Sequence, residues 1–207
     1  LSQGMVLGAI LQGIAVTGRS YSGSWWDWLT PYTLLTGLGV VAGYALLGAC
    51  WLVWKLEGAV QAKAFRLATR AALATLALMA AVSLYNLSLL PAYRARWLGA
   101  PEIYFASQVP LLTVIIAGFL FYGLRKRWER APFLLALALF ALGTIGVGVT
   151  MWPSVVPGAL NIWDAATAAR SQWFMLVGFL ITIPLILGYT AWSYWVFRGK
   201  VGGEGYH

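Results

Sequence analysis

The stretch APFLLALALFALGTIGVGVTM, from Ala131 to Met151, carries no charged side chain and decides how the rest of the chain is read. A helix of ~20 mainly apolar residues crosses a hydrocarbon core while satisfying its own backbone hydrogen bonds. Working outward, four more runs meet that measure: Pro31 to Trp54, Ala71 to Leu90, Val109 to Leu124, and Trp173 to Phe197. The third is the shortest and is expected to recruit flanking residues. Residues 1–16 are apolar but too short to span, and read as the end of a truncated preceding helix. Residues 17–207 then form a five-helix transmembrane region, and the fold class is an all-α polytopic bundle.

Composition supports this reading. The chain is 61% apolar and 10% charged, whereas a soluble domain carries roughly 25% charged residues. Its 12 Trp and 10 Tyr suit the two membrane interfaces, where amphipathic rings gather. A net charge of +8 would suit nucleic acid only on the exposed face of a recognisable module. Here the basic residues sit between apolar runs, so no nucleic-acid partner is expected.

Their distribution sets an orientation. Of the 14 Lys and Arg, Arg19, Arg94, Arg96 and Arg170 fall on one side of the spans. The others are Lys55, Lys63, Arg66, Arg70, Arg125, Lys126, Arg127, Arg130, Arg198 and Lys200, all on the opposite side. Basic loops stay in the cytoplasm, so the C-terminus is expected there. The aromatic-rich segments 17–30, 91–108 and 152–172 then face outward.

Chemistry-bearing residues are scarce. Ionisable side chains within a membrane mark proton or ion paths, yet Asp27, Glu102 and Asp164 fall in outer loops and Glu57, Glu129 and Glu204 in cytoplasmic ones. Cys50 is the single cysteine and His207 the single histidine, at the last position, so no bis-histidine heme site can form. The four methionines read as packing material, and no phosphate-binding glycine loop occurs. No catalytic, cofactor-binding or metal-binding residue is expected.

What remains is structural. Tyr44, Tyr85, Asn86, Thr113, Tyr122, Thr144 and Tyr189 lie at depth as glue between helices. Asn86 stands out, because its amide must find partners near a helix end. Gly4 with Gly8, Gly39 with Gly43, and Gly143, Gly146 and Gly148 offer faces on which helices can approach closely. Pro184 predicts a kink in the last span. Lys55-Leu56-Glu57-Gly58 is a helix stop, with Glu57 free to pair with Lys63 or Arg66 at the surface. The prolines of Trp152-Pro153-Ser154-Val155-Val156-Pro157 end a span abruptly. Next to Trp163, Asp164 is expected to cap a short surface helix or to contact another subunit.

Several strings, in order, resemble one family: subunit II of the cytochrome bd-type quinol oxidases, including their cyanide-insensitive branch. They are Asp27-Trp28-Leu29-Thr30-Pro31-Tyr32, Gly43-Tyr44-Ala45-Leu46-Leu47-Gly48-Ala49, Lys55-Leu56-Glu57-Gly58, Trp152-Pro153, Ile162-Trp163-Asp164-Ala165, and Gly188-Tyr189-Thr190-Ala191-Trp192-Ser193-Tyr194-Trp195. The resemblance implies a multi-pass protein of the bacterial cytoplasmic (inner) membrane, here its C-terminal part. It implies a partner, subunit I, with two b-type hemes and one further heme of d or b type, oxidising quinol and reducing oxygen to water. This chain would bind no heme, and its proton-delivery acids would lie in the missing N-terminal portion. A small single-helix subunit, lipid and quinone complete the expected partners. Gly39, Gly43, Glu57, Asn86, Trp163 and Asp164 are the candidates for structural support or subunit contact. The rival readings are a transporter or channel for a small neutral solute, which needs polar residues meeting near the midplane, and an assembly factor.

Overall fold

The structure is a computed structural model that describes residues 1–17, 20–197 and 199. Arg19, Arg198, Lys200, Glu204 and His207 lie outside the described residues. In chain order the elements are α1 (Ser2–Gln12), β1 (Val16–Thr17), β2 (Ser20–Tyr21), α2 (Pro31–Lys55), α3 (Gly58–Leu89), α4 (Pro91–Leu98), α5 (Ile103–Ala106), α6 (Gln108–Arg125), α7 (Ala131–Met151), β3 (Ser154–Val156), β4 (Leu160–Asn161), α8 (Ile162–Ala165) and α9 (Ala169–Val196). Five helices among the described residues are long and apolar enough to cross a membrane. The chain is an all-α polytopic bundle with two small antiparallel hairpins at its loops.

Local chemistry explains the boundaries. Thr30 caps α2 with a reciprocal capping box: its Oγ1 accepts from Thr33 N–H at 3.2 Å, and Thr33 Oγ1 accepts from Thr30 N–H at 2.9 Å. Pro31 occupies the first helical position, where its missing N–H costs nothing. Helix α2 stops at Lys55, and Gly58, with φ 65, lets the chain reverse into α3.

Helix α3 begins at Gly58, well before the expected Ala71. Residues 58–70 form an amphipathic lead-in: Ala64, Phe65 and Ala68 are buried on one face while Lys63, Arg66 and Arg70 are exposed on the other. The first apolar segment also ends earlier than its composition suggests, since Gly13 turns the chain and Val16 enters β1.

The core lies where α2, α3, α6 and α7 meet, around Leu46, Cys50, Val53, Phe65, Leu120, Leu124 and Leu139. Ala64, Ala68, Ala71 and Ala72 form a stripe of small residues on α3 within that core, and small residues are what allow close packing in a bilayer. Helix α9 stands apart. None of its spanning window is buried, and it runs continuously through Pro184. It touches the body near its end, where Tyr194 meets Trp51 edge-on at 5.5 Å. There Lys55 Nζ donates to the carbonyls of Phe197 at 2.6 Å and Gly199 at 3.1 Å.

Candidate functional site

The buried polar side chains converge at the end of the bundle opposite Lys55. Tyr32 on the first turn of α2 is wholly buried and packs on Tyr85 of α3 with ring centres 5.1 Å apart and planes tilted by 40°. Its hydroxyl reaches Asn86 Oδ1 over a long 3.5 Å. Asn86 Nδ2 in turn reaches Thr150 Oγ1 on α7 at 3.4 Å. The same threonine oxygen accepts from Trp97 Nε1 at 3.0 Å and donates to Gly146 O at 2.8 Å. Asn86 thus finds the partners its burial demands, and they come from two neighbouring helices, α2 and α7.

Helix α4 lies across this end and fastens it. Tyr93 donates its hydroxyl to Leu11 O at 2.8 Å, and Arg96 donates to Val149 O at 3.3 Å. Both carbonyls belong to last helical turns, which lack intrahelical donors, and a guanidinium there also meets the negative end of the helix dipole. Burial pushes the Tyr93 hydroxyl up to about 12, against a lowering by Arg96, so it stays a neutral donor. Thr30 Oγ1 completes the closure by donating to Gln12 Oε1 at 2.7 Å.

Beside this cluster a cavity of about 540 Å3 opens between the end of α1, the first hairpin and the loop before α2, lined by Ile14, Tyr21, Trp25, Asp27 and Trp28 among others. Asp27 accepts there from Ser24 N–H at 2.8 Å and Tyr21 hydroxyl at 3.0 Å. Tyr21 is raised above its ordinary value by desolvation first, then by Asp27.

The other candidates are dispersed. Gly43 is buried facing Phe140, and Gly39 faces Leu78, but an added Cβ would sit at an ordinary 3.9 Å in each case. Where α1 meets α2, the tight glycines are Gly4, Gly8 and Gly37. Glu57 is exposed at the N-cap of α3 and makes no side-chain cap. Trp163 is exposed and meets Trp152 edge-on at 5.9 Å. The short surface helix α8 exists, but Asn161 holds its N-cap position and Asp164 lies inside the first turn, exposed. The capping role expected of Asp164 is therefore corrected: the N-cap falls three residues before it.

A cluster of neutral donors and acceptors at one end can fix helix positions and keep water out. Thr150, Trp97, Arg96 and Tyr93 were not singled out from sequence, although Arg96 was visible as a cation on the side where cations are few.

These features define a multi-pass α-helical membrane protein whose spans are tied together at one end by hydrogen bonds. Residues 1–197 match the family described as cytochrome bd terminal oxidase subunit II, and the chain belongs to that family. Among its relatives is cytochrome bd-I ubiquinol oxidase subunit 2 of Escherichia coli (strain K12), 26% identical over 237 residues, 97% of this chain and 62% of the relative. Another is the probable cytochrome oxidase subunit 2 of Haemophilus influenzae, 25% identical over 232 residues, 96% of this chain and 61% of the relative. The chain spans about 62% of the length of the first of these relatives.

Proposed function

We propose that this chain serves as the heme-free second subunit of a bd-type quinol oxidase, supporting a heme-bearing subunit I that oxidises quinol and reduces oxygen to water. The observation that carries the reading is the family match along residues 1–197, which takes in all five spans and the outer closure. The complex is placed in the bacterial cytoplasmic membrane, with the Lys55 end of the bundle facing the cytoplasm.

Two b-type hemes and a further heme are proposed for the partner, as the family resemblance implies. Axial ligation of heme iron draws on His, Met, Cys or Tyr. Cys50 is packed in the core with Val53 and Ala68, and Met5 Cγ lies 2.9 Å from where a Gly37 Cβ would be. These residues do not fit an axial pair. The work of this chain is positional: the α2–α3–α6–α7 core presents a fixed apolar surface, and the outer cluster excludes water beside it. Lipid, quinone and a small single-helix subunit remain proposed partners.

A neutral-solute channel is the weaker reading, because the polar cluster closes an end of the bundle and does not line its middle. The test is an optical redox spectrum of the complex captured through a tag on this subunit, followed by subunit separation. Heme bands and quinol-dependent oxygen uptake are expected to follow a co-purifying partner. A heme-free preparation that retains its native partners would overturn the assignment.

A further inference from the structure

Helix α6 ends in a Schellman motif. Trp128 N–H donates to Gly123 O at 2.8 Å and Arg127 N–H to Leu124 O at 3.2 Å, the paired bonds that define this helix stop. Its left-handed position is ordinarily glycine, since a Cβ is penalised there. Arg127 fills it with φ 56, and among the described residues no other non-glycine residue has positive φ. The turn is held firmly: Trp128 folds over Gly123, where a Cβ would meet Cε3 at 2.9 Å, and meets Tyr122 edge-on at 5.4 Å.

This turn lies against the start of α3. The Arg127 guanidinium carbon is 5.4 Å from the centre of the Phe65 ring, and Gln61 Nε2 donates to Glu129 Oε1 at 3.1 Å and to Val53 O at 3.0 Å. Two segments distant in sequence thereby combine Lys63, Arg66 and Arg70 with Arg125, Lys126, Arg127 and Arg130, all exposed. Glu129 is the acid within these two segments, and Gln61 engages it. Glu57, exposed at the N-cap of α3, is the nearest acid in sequence on the α2 side.

We propose that Arg127 and its flanking cations form a binding site for the phosphate of an anionic phospholipid headgroup. Basic residues at a span's end need no particular backbone position to fix topology. An arginine where the backbone favours glycine needs a local reason; its guanidinium lies over the Phe65 ring, on the segment of α3 that also carries Lys63, Arg66 and Arg70. The strip lies at the ends of α3, α6 and α7, at headgroup depth, and the exposed rings of Tyr122 and Trp128 flank it as interfacial anchors. A lipid, anchored at that depth by its chains, is favoured over free phosphate.

The test compares the intact protein, purified with its native partners, with Arg127→Gly and Arg127→Lys, in nanodiscs of phosphatidylcholine with a minor fraction of phosphatidylglycerol. Retained lipid is counted by native mass spectrometry. Arg127→Gly relaxes the backbone, so thermal stability is expected to hold or rise while phosphatidylglycerol retention falls about fivefold, the effect of one surface cation. Arg127→Lys is expected to keep most of the retention. Unchanged retention in Arg127→Gly overturns the proposal, as does a loss of stability without loss of lipid, which would reduce Arg127 to a packing partner of Phe65. Displacement of the lipid by millimolar inorganic phosphate would identify a free-anion site and overturn it equally.

Discussion

Gly8→Ala should destabilise the protein in a way that a second substitution repairs, whereas Gly4→Ala should not be repairable. A Cβ on Gly8 collides with Thr36 Oγ1 and comes to 3.0 Å from Thr33 Cα. The collision is with a side chain, and Thr36 Oγ1 otherwise only donates to Thr33 O at 2.9 Å. A Cβ on Gly4 instead meets backbone, Thr36 O at 2.7 Å and Gly37 Cα at 2.8 Å. Overpacking of this kind costs about 1–3 kcal/mol. In Gly8→Ala/Thr36→Ala the principal clash is gone, so a coupling of about 1 kcal/mol or more is expected between the two changes. Gly4→Ala combined with Thr36→Ala should be additive, because the carbonyl stays in place. Unfolding free energies of the five variants, Thr36→Ala among them, and of the parent, from denaturant titration of the purified protein in mild detergent, complete the two cycles. Equal repair of both glycines, or repair of neither, would refute the idea that α1 and α2 approach through these backbones.

Asn86→Leu strands the buried Tyr32 hydroxyl and should cost about 1–3 kcal/mol by the same titration; a neutral result would mean that the long bonds of Asn86 contribute nothing. Lys55→Met removes two charge-assisted bonds from the end of α9, each contributing about 1.5–3 kcal/mol locally. Spin-label distances between the ends of α9 and α2 should broaden, and an unchanged distribution would show that Tyr194 on Trp51 suffices. Tyr93, held up to about 12 by burial, contributes stability that is fully present below its unfolded value of about 10. That contribution is lost as pH rises from there toward 12, since the unfolded chain releases its proton first. Tyr93→Phe should flatten this alkaline decline and cost about 1 kcal/mol at neutral pH; an unaltered profile between pH 9 and 12 would count against it.

The spans were legible because hydrophobic length is a local property: Ala131 and Met151 bound α7 in sequence and in structure alike. The start of α3 was not, since Lys63, Arg66 and Arg70 read as a loop. The signal that would have found it is the spacing of Ala64, Phe65 and Ala68, which puts them on one buried face. Gly4 and Gly8 carried a true close approach, while Gly39 and Gly43, with the same spacing, face neighbours at ordinary contact distance. A spacing names a face but not how near its neighbour comes. Asn86 could be singled out because an amide among apolar residues is conspicuous. Thr150 and Trp97 could not, for what matters about them is that they meet, 53 residues apart.

Thr150 carries a further consequence. A hydroxyl has one proton to give and two lone pairs to fill. Here the proton goes to Gly146 and the lone pairs to Asn86 and Trp97. Its valence is spent. A water or ion arriving at this end finds no vacant position on the oxygen and must first break a bond that holds α3 or α4 to α7. The same atom thus joins three helices and has no hydrogen-bonding capacity left over for a solvent molecule.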